Sequence, residues 1–126
     1  MEIESDANWA RVTLSGDIDL HWVEQHQEDI EGLCTDGPTS VALDLAGVTF
    51  MDSTGLGLIS RLCHVCGDND GHVYVISPSK MVRTSMEIVG LMQTSRVVMV
   101  ETPEEVAATD ALFTAIDPQG PAEAVG

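Results

Sequence analysis

Basic residues are scarce in this chain. Its 126 residues include only five, Arg11, Arg61, Lys80, Arg83 and Arg96, against twenty-one acids, for a formal charge of −16 with histidine neutral. Such a field repels polyanions, which argues against a nucleic-acid partner, and it disfavours anionic membrane surfaces for the same reason. Long apolar runs are missing as well. None approaches the ~20 residues that a membrane span needs. The opening "MEIESDAN" has neither a basic n-region nor an apolar h-region, so no signal peptide is read and a cytoplasmic setting is expected. Cysteine occurs three times, at Cys34, Cys63 and Cys66. In such a setting these are expected to be thiols and not a disulfide framework.

What remains is the composition of a globular protein, with 44% apolar residues, too many for a disordered chain. The length suits one domain, expected over residues 1–116. The closing "DPQGPAEAVG" holds two Pro and two Gly and is expected to be a flexible tail over 117–126.

Strand and helix patterns alternate along the chain. Met1 to Glu4 suits a short edge strand. In "WARVTLSG", Ala10, Val12 and Leu14 alternate with Trp9, Arg11 and Thr13, the period of a half-buried strand. From Leu20 to Cys34, Val23, His26, Ile30 and Leu33 form a helical stripe, ended by "TDGP" at 35–38. "SVALDLAG", closed by Gly47, reads as a buried strand. Leu56, Ile59, Cys63 and Cys66 repeat at helical spacing up to the turn "GDNDG". "HVYVIS" is the next strand. Ser77-Pro78 reads as N-cap and first residue of a third helix, and Gly90-Leu91 as its terminator. "RVVMV" is a last strand. Thr102-Pro103-Glu104-Glu105 has the form of a capping box that opens a fourth helix to about Ile116. The order β-β-α-β-α-β-α-β-α implies an α/β fold, a mixed sheet of about five strands packed against about four helices.

The informative stretch is "VTFMDSTGLGLISRL", Val48 to Leu62. Two hydroxyls and a carboxylate lie between a strand-like segment and an apolar helix. Asp52 or Ser53 can cap that helix, which by itself would account for them. A hydroxyl at a helix N-terminus is also a place where an added phosphate is electrostatically tolerated. Gly55 and Gly57 permit close approach of another backbone.

"VALDLAGVTFMDSTGLGLISRL" resembles the central motif of STAS domains, in particular the bacterial anti-sigma factor antagonists. "LSGDIDL" and "ISPSKMVRTSMEIVGL" resemble flanking segments of the same family, so roughly residues 9–113 are covered. The resemblance implies a protein-binding switch without catalysis or cofactor. Ser53 would be the phosphoacceptor, with Thr54 as the alternative. Asp19, Asp52, Ser53, Thr54, Gly55, Leu56 and Gly57 would form the partner-binding surface. The partner implied is an anti-sigma factor with serine kinase activity, and a serine phosphatase would reset the switch. Unphosphorylated, the chain would bind that partner and release a sigma factor; phosphorylation at Ser53 would end the binding. The same resemblance also allows a non-catalytic subunit of a lipid-transport ATPase or of a stress-sensing complex. Trp22, where smaller residues are usual, and the short first strand depart from the family pattern.

Cys63-His64-Val65-Cys66 has C-x-x-C spacing. Both cysteines fall on an apolar helical stripe at the end of a helix, so core thiols are expected and no metal site. "MDSTG" is not the nucleophile elbow of a hydrolase, and no histidine is placed by spacing to serve Ser53.

Overall fold

The computed structural model describes residues 1–5, 9–34 and 38–116. Residues 35–37 of the turn expected at 35–38, the side chain of Cys34 and the tail expected at 117–126 lie outside the described residues.

The elements are β1 (Glu2–Ser5), β2 (Trp9–Ile18), α1 (Leu20–Glu31), β3 (Ser40–Met51), α2 (Ser53–Asp68), β4 (Val73–Ile76), α3 (Lys80–Ile88), β5 (Val97–Val100) and α4 (Pro103–Ile116). Short 3-10 turns follow α1 at Gly32–Cys34 and α3 at Leu91–Gln93. The sheet order is β1-β2-β3-β4-β5. β1 runs antiparallel to β2, and the other four strands are parallel. This is the expected mixed sheet with four helices.

Because strand order follows sequence order, right-handed crossovers place α1, α2 and α3 on one face. The burial agrees. Val12 and Leu14 of β2 and Val41, Leu43 and Leu45 of β3 pack with Val23, Ile30, Ile59, Leu62, Val82 and Met86 of the three helices. The alternate residues Ala42, Tyr74, Ile76 and Val100 face a smaller cluster with Val106 of α4. Every residue of β4 is buried, as a parallel strand covered on both sides must be. The Tyr74 hydroxyl donates to Asp110 Oδ1 at 2.7 Å and the His72 ring stacks on Phe113 at 4.3 Å, which fastens α4 to its face.

Three local expectations need correction. β3 does not close at Gly47 but continues to Met51, a twelve-residue strand. Its pairing with β2 shifts register twice, between Thr13 and Ser15 and between Gly16 and Asp17, each time with an extra residue on β3. The bulges place Val48 and Met51 in the same core cluster although they are three residues apart. Gly16 sits at the second bulge with φ +77°, a conformation that suits glycine. Second, α3 is capped by Ser79, whose hydroxyl accepts from the Val82 N–H, and not by Ser77. Ser77 instead ties β4 to the end of β5: its N–H donates to the Val100 carbonyl and its hydroxyl to that of Glu101. Gly90 ends the helix as expected, with φ +85°, and Leu91 beyond it is buried. Third, the capping bonds of α4 come from Glu105, whose carboxylate accepts from the N–H groups of Glu101 (2.9 Å) and Thr102 (3.1 Å). Thr102 takes part through its backbone.

Glu105→Ala therefore removes the acceptor for two backbone donors and should lower stability by about 1 kcal/mol, whereas Thr102→Ala should cost a few tenths. Denaturant titration of the two variants checks the order; an equal cost would place the cap on the threonine side chain.

Candidate functional site

Ligands of open α/β sheets bind beyond the carboxyl ends of the parallel strands. At that end β2 and β3 run out side by side, with Ile18 paired to Met51. Each strand passes directly into a helix through one aspartate. Asp19 caps α1, its Oδ1 accepting from the Trp22 N–H at 3.0 Å. Asp52 caps α2, its Oδ1 accepting from the N–H groups of Thr54 (2.9 Å) and Gly55 (3.2 Å) and from the Thr54 hydroxyl (2.7 Å). The Asp52 N–H donates to the Ile18 carbonyl at 3.3 Å, which joins the two junctions. The third acid of this end, Asp17, accepts from the Thr49 hydroxyl at 2.8 Å.

The Thr54 hydroxyl is the main reason that the Asp52 carboxyl titrates below its ordinary value of 3.8. Desolvation opposes the shift, and the N–H groups of Gly55, Thr54 and Leu20 reinforce it.

This cap decides the state of the two hydroxyls. Thr54 is committed to Asp52. Ser53, the first residue of α2, is exposed, and its hydroxyl has no partner among the described residues. The structure thus separates two side chains that the sequence left as alternatives: one serves the cap, and the other points outward from the positive end of the helix.

The two glycines also differ. Gly55 is buried, and a Cβ there would lie 2.6 Å from Met51 Cγ and 3.0 Å from the Ile18 carbonyl oxygen. A Cβ on Gly57 would have nothing within 4 Å. Gly57 opens instead on a groove of about 460 Å³ between α1 and α2, which also reaches Ser53, Val23 and Gln27. Leu56, expected on the partner-binding surface, is only 7% exposed and belongs to the core. Gly55 and Leu56 therefore hold the start of α2 against the sheet, and their side-chain positions do not reach the surface.

Two residues that the pattern reading passed over do reach it. Leu20 is 54% and Phe50 43% exposed. The signal for Phe50 was the adjacent pair Phe50-Met51, which simple alternation cannot bury on one face. Trp22 is half-buried against the core and tilts onto His26 at 4.4 Å.

Cys66 is fully buried and Cys63 half-buried. Burial pushes the Cys63 thiol up to about 11, far from a reactive thiolate. Among the described residues no three His, Cys, Asp or Glu side chains converge on a possible metal site, and no helix is long and apolar enough to cross a membrane.

Comparison with known proteins supplies independent findings. The model of the STAS domain matches residues 1–109. An anti-sigma-B factor antagonist of Staphylococcus aureus is 29% identical over 91 residues, 72% of this chain and 84% of that protein. One of Staphylococcus epidermidis is 31% identical over 80 residues, 64% of this chain and 74% of that protein. Among solved structures, the anti-sigma factor antagonist SpoIIAA in its unphosphorylated form superposes with a TM-score of 0.70 at 23% identity, covering 88% of this chain and 96% of that one. The phosphorylated form of the same Bacillus protein gives 0.70 at 24%, covering 86% and 96%. At these identities the two structures establish a shared fold.

Removing the cap should be costly. Asp52→Ala deletes the acceptor of three bonds and should destabilise by about 1–2 kcal/mol, and Asp52→Asn by less. Because the folded pKa of Asp52 is lowered, its stabilisation is full above the unfolded value of ~3.9 and is lost as pH falls through the lower folded value. Thermal melts from neutral pH to about pH 2 should show Asp52→Ala losing its disadvantage at the acid end; a constant gap would mean that the charge of Asp52 is irrelevant to the cap.

The glycines should respond in opposite directions. Gly55→Ala overpacks against Met51 and Ile18 and should cost about 1–3 kcal/mol. Gly57→Ala should stabilise by about 0.5–1 kcal/mol, since alanine suits a helix interior better. Urea titrations of both variants check this.

Proposed function

The chain belongs to the STAS domain family, and from that premise we propose that it is an anti-sigma factor antagonist switched by phosphorylation at Ser53. The observation that carries this reading is the Ser53 hydroxyl: exposed, without a partner among the described residues, and held at the N-terminus of α2 by a cap that occupies Thr54 and not Ser53. The names of the staphylococcal relatives, to which it is about 30% identical, support the role of antagonist.

In the unmodified state the chain binds an anti-sigma factor and so leaves a sigma factor free. The anti-sigma factor is itself the serine kinase that modifies Ser53, and a serine phosphatase restores the hydroxyl. The chain is a non-catalytic regulator in this cycle, working in the cytoplasm where transcription takes place. The binding surface comprises Ser53, Thr54, Gly57, Asp19 and Asp52, with Gly55 and Leu56 acting from beneath as its support.

The physical effect of the phosphate is local. It adds about −1.5 to −2 charges. The helix N-terminus tolerates that charge, so the fold is retained. The partner does not tolerate it. Asp17, Asp19 and Asp52 already make this end acidic, and a closely packed interface cannot hydrate a dianion.

Phosphosite mapping of the native protein, combined with affinity purification of its partner, tests the reading. Ser53→Ala should bind the anti-sigma kinase but accept no phosphate. Ser53→Asp should fold, since a carboxylate suits a helix N-terminus, and should bind at least tenfold more weakly, the direction expected for like charge placed in an acidic interface. Equal binding by Ser53→Asp would exclude charge at this position as the switch, and phosphate still incorporated into Ser53→Ala would move the acceptor to Thr54 or beyond.

A further inference from the structure

We infer that Leu20 and Phe50 are the apolar anchors by which the partner is held, and that the partner offers them an apolar depression rimmed by arginine or lysine. The inference rests on the function proposed above and specifies the chemistry of its partner.

Both residues belong to the two strand-to-helix junctions that carry the site. Phe50 lies opposite Asp17 in the β2–β3 ladder, one residue before Met51 and two before the Asp52 cap. Leu20 is the first residue of α1, directly after the Asp19 cap, and its junction is joined to that of Phe50 by the Asp52 N–H, which donates to the Ile18 carbonyl. Each has its Cα held by the sheet or by a capped helix turn, so no backbone segment needs to be ordered on binding. Exposed aromatic and other apolar side chains on a rigid backbone, bordered by polar residues, can carry much of an interface's affinity. Among the described residues Leu20 remains 54% and Phe50 43% exposed.

Charge decides what kind of surface can cover them. Asp17 pairs with Phe50 in the ladder, Asp19 directly precedes Leu20 and Asp52 follows Phe50 by two residues, and among the described residues no basic side chain forms an ion pair with any of the three. Arg11 pairs with Asp44, Arg61 with Glu31, Arg83 with Glu101 and Arg96 with Asp70. Lys80, the one remaining base, stands at the start of α3. The positive charge that balances this end must therefore come from the partner. A second copy of the chain is a poor occupant, because it would bring the same acids face to face on molecules that each carry a formal −16. The surface fits a basic-rimmed partner, and a phosphate added at Ser53 would compete for the same cations.

The test uses the anti-sigma kinase identified by mass spectrometry after affinity purification with the intact chain, then produced and purified as the binding probe. The variants are Leu20→Ser, Phe50→Ser and, as a control, Ile88→Ser, a residue 79% exposed on α3. All three are checked first for an unchanged melting temperature. Leu20→Ser and Phe50→Ser should each weaken binding about tenfold or more, while Ile88→Ser binds as the parent does. Raising salt from about 50 to about 500 mM should weaken parent and variants by a similar factor, since the anchors act by apolar burial and the rim by charge. Unchanged binding by both anchor variants, or a loss confined to Ile88→Ser, overturns the inference while leaving the proposed function intact. Failure of the parent chain to bind any anti-sigma factor overturns both.

Discussion

One carboxylate organises the functional end of this protein. Asp52 ends the longest strand and starts the most buried helix without an intervening loop. Its side chain accepts from two N–H groups and one hydroxyl, its own N–H reaches back to β2, and its carbonyl accepts from Leu56. The first-turn donors of α2 are thereby satisfied by a residue outside the helix. Ser53 follows the cap and is not called upon for it. A hydroxyl free of structural duty, at a rigid position with a favourable dipole, can gain or lose a phosphate without the fold being remade.

On the proposed reading, the same economy means that a phosphate at Ser53 would act on a partner and not through an internal rearrangement. Among the described residues each of the four arginines is paired with an acid, including Arg61, which lines the same groove as Ser53 and is paired with Glu31. A phosphate at Ser53 would therefore meet no arginine free of an acid partner. It would change the potential of a surface already rich in aspartate, and the consequence would fall on whatever approaches that surface. The scarcity of bases, unremarkable as a property of solubility, becomes at this end a statement about the complementary charge of the partner.

Much of the architecture was legible in the chain. The alternation in "WARVTLSG" placed Ala10, Val12 and Leu14 inside, and the helical stripes placed Ile59, Leu62 and Cys66 in the core. The motif "MDSTGLG" pointed to the right strand-to-helix junction. The misreadings cluster where local signals compete. Ser77-Pro78 has the composition of a helix start, yet Ser77 is used to tie two strands and Ser79 caps the helix. Gly47 looks like the end of a strand, yet the parallel pairing with β2 carries the strand on through two bulges.

Sequence by itself determined the order of elements, the single charged character of the surface and the position of the candidate hydroxyls, because these follow from periodicity, composition and capping chemistry, all local properties of the chain. Only the tertiary structure decided which hydroxyl is free, which glycine is packed and which open, and that Leu56 turns inward while Leu20 and Phe50 turn outward. Those outcomes depend on the register between β2 and β3, segments more than thirty residues apart. A bulge of one residue reverses the face that a side chain meets, and no pattern within either segment alone records where its partner strand inserts or omits that residue.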